Sequence, residues 1–426
     1  MRIPIEYRHD LDEIQDTSGF KYCPGWPKKY LTSDYFIIQQ EDTGMFGLFG
    51  EPFVVVFKDK EPTDEYYYFP IIVSLSLITD YIDDFEVPDN VLQDVIAGKC
   101  KFLIFNSYEG WDWEFWETKV VDPLKKKYNI KLANHSHLEN LAHGESHLSD
   151  EHFVIASANI DNTSKFKTIY TNFWERQVKH ENLDYLNGLG AISIAEKQAR
   201  NKKFICLNRR PHAGRFAALT KLYPYKDQGY LSFGKSGQMY EGYFEEQEAG
   251  FSRMCPQVYE EYQTLNIRDE IPLVIDDRID AERDNPVQDW AHEKFYDSFL
   301  HICPETFQYY RQGRIFFSEK IWKPIMFMQP FVLVGEPYQL RALRQMGYKT
   351  YDDFIDESYD TILNNQERLT TALQSAIDYF NKPIEELHKN LENMQYILTH
   401  NLANLTYRSA MMDQNLKKDL KEALYA

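Results

Sequence analysis

Residues 203–223 read KFICLNRRPHAGRFAALTKLY, and the order of the three pieces in this stretch decides the fold. KFICLN is an apolar run that ends on a polar residue, Asn208. Arg209, Arg210, Pro211, His212, Ala213 and Gly214 follow as a short loop, after which Phe216, Leu219, Leu222 and Tyr223 recur at helical spacing. A strand, a short loop and a helix make half of a βαβ unit, the connection that parallel strands require.

The same kind of run recurs along the chain: PFVVVF (52–57), YFPIIVSL (68–75), KFLIFN (101–106), HFVIASA (152–158), FLHICPE (299–305) and PFVLVG (330–335). Continuous apolar runs suit strands buried on both faces, so the pattern predicts an α/β fold with parallel sheets. Each run ends on a polar residue or glycine or is followed directly by one, on the side where open α/β sheets bind ligands. The final seventy or so residues show helical spacing with a single proline, which predicts a helical tail.

At 426 residues the chain exceeds the roughly 250–300 that one core usually serves, so two domains are expected. The mixed stretch 160–200, interrupted by Gly188 and Gly190, is the expected boundary. This divides the chain into an α/β domain at 1–180, a second at 181–390 and closing helices at 391–426. Lys and Arg number 47 against 66 Asp and Glu, a net charge of −19 that repels phosphate over most of the surface. Any nucleic-acid or phosphate contact must therefore be a local basic pocket. Five scattered cysteines without metal spacing (Cys23, Cys100, Cys206, Cys255, Cys303), the absence of an apolar leader and the absence of a bilayer-length apolar run predict a soluble cytoplasmic protein.

Five stretches carry possible chemistry. The loop with Arg209, Arg210 and Arg215 stands where free N–H groups, the helix dipole and guanidinium forks all favour an anion. Residues 229–236, GYLSFGKS, match the phosphate-loop pattern literally, but their flanks supply neither the preceding strand nor the following helix that such a loop needs. His135, His137, His143, His147 and His152 cluster without the H-E-x-x-H order, and read better as a polar loop than as a metal site. In FNSYEGWDWEFWE (105–117), Glu109 at a strand end beside Trp111 and Trp113 suits a cleft for a polyol, the rings packing on a sugar face and the carboxylate taking a hydroxyl proton. The bland alternative makes the tryptophans core.

The fifth stretch, FFSEKIWKPIMFMQPFVLVG (316–335), sets a charged pair between apolar runs. Ser318 is a good N-cap, placing Glu319 and Lys320 in the first turn of a helix that ends before Pro330; Pro324 inside that helix costs it a hydrogen bond. The order Glu305-Thr306, Ser318-Glu319-Lys320, Lys323-Pro324, Pro330-Phe331, a glycine, a leucine-rich helix and DESYD (356–360) resembles the donor domain of fucosyltransferase-like glycosyltransferases, and in particular a set of viral and bacteriophage glycosyltransferases. The resemblance spans 204–360 and is most specific in its second half.

It implies a GT-B fold: two doubly wound Rossmann-like domains facing each other across a cleft, with C-terminal helices returning to the first. It also implies transfer of a sugar from a nucleotide-sugar donor to a hydroxyl, with no metal or other cofactor required. Carried over by motif, Lys320 and one of Arg209, Arg210 or Arg215 would hold the diphosphate, Glu319 the ribose hydroxyls, and Glu305, Ser318 and Lys323 would complete the donor site. Glu109 fits the family's catalytic base by context, with Trp111 and Trp113 on the acceptor side. Where the family has asparagine and a small residue after Glu-Lys, this chain has Trp322, Lys323 and Pro324, so the sugar's identity does not transfer. The acceptor implied is a glycan or a hydroxymethylated base of bacteriophage DNA, in the host cytoplasm if the protein is viral. The rival expectations are a catalytically silent sugar- or nucleotide-binding protein and an NTPase using residues 229–236.

Overall fold

The structure, a computed structural model, describes residues 35–38, 53–56, 67–72, 87, 89–106, 110–134, 147–161, 163–178, 190–191, 193–235, 242–275 and 292–425. Among these the chain divides into two compact units, one of residues 1–173 with 411–426 and one of residues 174–410. No helix among the described residues is long and apolar enough to cross a membrane.

The first unit holds a two-stranded antiparallel pair, β1 (Tyr35–Ile38) with β2 (Phe53–Val56), and a four-stranded parallel sheet of β3 (Tyr67–Ile72), β4 (Cys100–Asn106), β5 (Phe153–Ser157) and β6 (Lys167–Tyr170). The run at 52–57 is thus a strand, but an antiparallel one outside the parallel sheet. The strands of that sheet lie in chain order, β3-β4-β5-β6, so the described part steps in one direction without reversing. Helix α1 (Asp89–Ile96) connects β3 to β4; α2 (Trp113–Trp116), a π-helical turn at Glu117–Val121 and α3 (Asp122–Asn134) follow β4. Trp113, Trp116, Val120, Leu124 and Tyr128 from this run close over Phe102, Ile104, Phe153 and Ile155 of the sheet. The end of the chain joins this unit's hydrogen bonding: Tyr68 donates to the Leu420 carbonyl at 2.7 Å and Lys101 to that of Ala423 at 2.9 Å.

After α4 (Phe173–Gln177), the second unit is built on β7 (Lys202–Asn208), β8 (Gly229–Phe233), β9 (Ser298–Pro304) and β10 (Phe331–Val334), all parallel, in the order β10-β9-β7-β8. Between them run α5 (Ala213–Leu222), α6 (Tyr243–Met254), α7 (Pro256–Thr264), α8 (His292–Tyr296) and α9 (Glu319–Met326), with α10 (Gln339–Gln345), α11 (Asn365–Phe380) and α12 (Ile384–Tyr425) after the last strand. Every residue of β9, a central strand, is buried, and so is every residue of β10 at the edge of the sheet.

Side chains alternate along a strand, and this sheet is covered on both faces. On one, Phe204 stacks on Phe380 of α11 at 4.8 Å; on the other, His301, in register with Ile205, meets Phe295 of α8 at 5.3 Å. The chain moves from β7 outward to β8, then returns to the opposite side of β7 for β9 and continues to β10. That reversal is a topological switch point, and it falls between β7 and β9.

The strand β8 also disposes of the phosphate-loop match. Gly229 to Phe233, the first part of GYLSFGKS, are the strand itself, so no loop lies between the two glycines. Gly229 is there for packing, since a Cβ would stand 2.4 Å from the Phe204 ring.

Candidate functional site: an anion pocket at a switch point

At a switch point the loops leaving two adjacent strands turn away from each other and leave a crevice beyond the strands' C-terminal ends. Here those loops follow β7, carrying Arg209, Arg210 and His212, and β9, carrying Glu305, Thr306 and Gln308. They are pressed together at one point. Gly214 in the first turn of α5 lies so close to Gln308 that a Cβ would meet that side chain at 2.4 to 2.6 Å. Gln308 is itself fixed, its side-chain amide donating to the Glu305 backbone carbonyl and its backbone carbonyl accepting from Arg368 at 2.7 Å.

The third wall is the start of α9. Ser318 caps the helix, its Oγ accepting the Lys320 backbone N–H at 3.4 Å and the Lys320 ammonium at 3.1 Å while donating to Glu305 Oε2 at 2.5 Å. Glu305, fully buried one residue past β9, also accepts the backbone N–H groups of Thr306 at 3.1 Å and Ser318 at 3.3 Å. Lys320 reaches Glu319 at 2.8 Å and Thr306 Oγ1 at 3.3 Å. A hydroxyl offers one donor and two acceptor sites, and Ser318 uses all three. The charged pair between apolar runs is therefore tied into a hydrogen-bonded cluster, its neighbours Ile321 and Trp322 being buried.

Pro324 sits buried within α9, which continues past it to Met326. Proline has no N–H to give the carbonyl of Lys320, four residues back, so this short helix leans on its Ser318 cap.

The electrostatics make one coupled cluster. Burial would raise the Glu319 carboxyl, but Lys320, Lys323 and Arg215 overcome it and hold it down at about 2. Glu305 goes the other way: burial raises it, against the pull of Lys320 and the Ser318 hydroxyl. Burial lowers Arg215, with Glu319 and Glu305 opposing; burial lowers Lys323 too, with Glu319 again opposing. Arg215 is only 4% exposed, donates to the Arg210 carbonyl at 3.1 Å and leaves its Nε without a hydrogen-bond partner. In a chain of net charge −19, Arg210, Arg215, Lys320 and Lys323 thus face the carboxylates of Glu305 and Glu319 with cationic charge to spare. Such a charge cluster suits a multiply charged anion.

Of the residues singled out from sequence, Arg210, Arg215, Glu305, Ser318, Glu319, Lys320 and Lys323 are brought together here, and Arg209 lies half-buried on the same loop. Glu109 lies outside the described residues, as do His135, His137 and His143. In the first unit Trp113 is core, 8% exposed, its indole donating to Asp161 at 3.1 Å; Trp111 is partly buried, its ring stacked on Phe115 at 4.5 Å. His152 serves a capping box with Ser149, its Nδ1 accepting that residue's N–H at 2.9 Å.

Three contributors were not picked out from sequence. Thr306 gives Lys320 its hydroxyl, and Gln308 fills the space that Gly214 leaves. His212 stands at the N-cap of α5 with Tyr243 Oη 3.5 Å from its Nδ1. The available signal was position: each follows the polar end of a predicted strand. The DESYD end of the motif block has a different role. Asp360 accepts the N–H groups of Leu340 at 2.8 Å and Arg341 at 3.0 Å and so caps α10, while Glu357 takes the Tyr351 N–H at 2.6 Å and pairs with Arg344.

The fold and this cluster define an α/β protein with a group of buried and half-buried cationic and acidic side chains at the switch point of its second unit. Compared with known proteins, the chain matches no family model, no curated protein and no solved structure.

Proposed function

We propose that the chain is a nucleotide-sugar-dependent glycosyltransferase of the GT-B type, whose donor diphosphate occupies the crevice between the ends of β7 and β9. One observation carries the reading: Arg215, Lys320 and Lys323, gathered around Glu305 and Glu319 at the switch point of a parallel sheet, form a cationic pocket in an otherwise acidic chain. Lys320 and Arg215, with Arg209 or Arg210, contact the diphosphate, and Glu319 accepts from ribose hydroxyls. As the bond from the anomeric carbon to the diphosphate breaks, negative charge grows on the leaving group and these cations stabilise it. Glu109 deprotonates the acceptor hydroxyl. The acceptor is a glycan or a hydroxymethylated base in DNA.

Calorimetric titration with nucleoside diphosphates is the direct test. Lys320→Ala should lose most of the affinity; unchanged binding sinks the assignment. Glu109→Gln should bind donor normally and transfer no sugar. For the acceptor, salt-sensitive binding of a hydroxymethylcytosine duplex would select DNA, and its absence removes that version. Because the cluster is complete within one unit, the rival reading is a protein that binds the nucleotide sugar without transferring it. Turnover on a panel of donors, lost in Glu109→Gln, decides against that rival.

A further inference from the structure

Among the described residues, the cluster includes one imidazole, that of His212. It occupies the N-cap of α5, its carbonyl accepting the N–H groups of Arg215 at 2.9 Å and Phe216 at 3.4 Å, and its own side chain makes no cap bond. Its ring meets that of Tyr243 edge-on, at 6.4 Å and 85°. The charged groups acting on it come from three sides: Arg210 on its own loop, Arg215 on α5 and Lys320 on α9, with the Tyr243 phenol on α6 as its hydrogen-bonding neighbour.

We propose that His212 is a proton-coupled contact of this site: the imidazole stands neutral without an anion and takes a proton from solvent as a diphosphate binds. This rests on the donor-site reading above and adds a residue to it. In the neutral ring Nδ1 accepts from the Tyr243 hydroxyl, which leaves the hydrogen on Nε2. On protonation the new hydrogen sits on Nδ1 and donates to the same phenol oxygen, which serves either way. Nε2–H donates to a phosphate oxygen in both states, with a full positive charge added in the second. The proton comes from bulk solvent and returns there on release, so no other reactant is needed.

The surroundings favour this exchange. Burial, then Arg215, Lys320 and Arg210, push the imidazole well below its ordinary range. An incoming diphosphate cancels the repulsion from those three cations and raises the proton affinity. Linkage then gives the sign: anion affinity increases as pH falls toward the unliganded imidazole's range, by up to about tenfold per pH unit.

The experiment is calorimetric titration of the full chain with inorganic pyrophosphate, near neutral pH, in two buffers of different protonation enthalpy. Wild type and His212→Gln are compared, so that the ionisation of pyrophosphate itself cancels. Wild type should take up an additional proton on binding, and its affinity should gain on the variant's as pH falls from about 8 to about 6. Histidine-selective nitrogen-15 spectra give a second readout on the unaltered protein. The resonance that Tyr243→Phe perturbs should move from neutral to protonated shifts on adding pyrophosphate, so the test survives if His212→Gln does not fold. Equal proton uptake in wild type and His212→Gln, or an imidazole that stays neutral with pyrophosphate bound, overturns the proposal and leaves the donor site intact. Failure of wild type to bind pyrophosphate, uridine diphosphate or guanosine diphosphate removes the donor site and this inference with it.

Discussion

Replacing Ser318 by alanine isolates the junction on which the pocket is built. Its hydroxyl donates to the buried Glu305 carboxylate at 2.5 Å and accepts from Lys320 twice, at 3.4 Å from the backbone N–H and at 3.1 Å from the ammonium. Loss of a helix cap costs about 1 kcal/mol. A hydrogen bond to a charged group is worth about 1.5–3 kcal/mol, taken here at the low end because Glu305 keeps the N–H groups of Thr306 and Ser318. The sum is about 2.5 kcal/mol, and α9 cannot absorb it, being eight residues long and carrying Pro324. With a denaturant slope of about 2 kcal/mol per molar, the urea midpoint of the second unit's transition should fall by about 1 M, at unchanged slope. Ser318→Thr keeps the hydroxyl and should stay within about 0.5 kcal/mol of wild type. If Ser318→Ala also stays within that margin, the hydroxyl is not the hub described here.

Gly214→Ala should destabilise by about 1–3 kcal/mol in thermal or urea unfolding, the opposite of the usual gain from alanine in a helix, because the new methyl meets Gln308 at 2.4 to 2.6 Å. Glu319 is held at about 2 in the folded state against roughly 4.3 unfolded, so its contribution is full above about 4.3 and lost as pH falls toward about 2. Stability measured across that acid window should therefore fall more steeply in wild type than in Glu319→Gln, by no more than about 3 kcal/mol and less to the extent that water screens the pair. Asp360→Ala uncaps α10 and should cost about 1–2 kcal/mol in the same unfolding assay, leaving pyrophosphate affinity within about twofold because that carboxylate caps a helix.

Local chemistry alone determined the strands that carry a continuous apolar run. The seven apolar runs quoted above all overlap strands, and KFICLNRRPHAGRF divides into β7, loop and α5 where its polarity changes. Strands without such a run were not legible: β6 is KTIY, mostly half-exposed, and β8 hides inside a literal phosphate-loop match. The Ser318 cap was equally readable, since a hydroxyl before Glu-Lys needs only its own next residues.

The sheet's order is another matter. That β9 lies against β7 rather than β8 is what creates the crevice, and it depends on contacts between residues about a hundred positions apart, such as Ile205 with His301. The same holds for the site's electrostatics. Nothing next to Glu305 in the chain announces that its carboxylate will be buried against the hydroxyl of Ser318, or that Arg215 will be felt by Glu319. Residue types and their spacing determined which groups could bind an anion; the packing of two loops and a helix start decided which of them share one charge cluster. Burial and Coulomb interactions are set by distance in space, and only the tertiary structure supplies that distance.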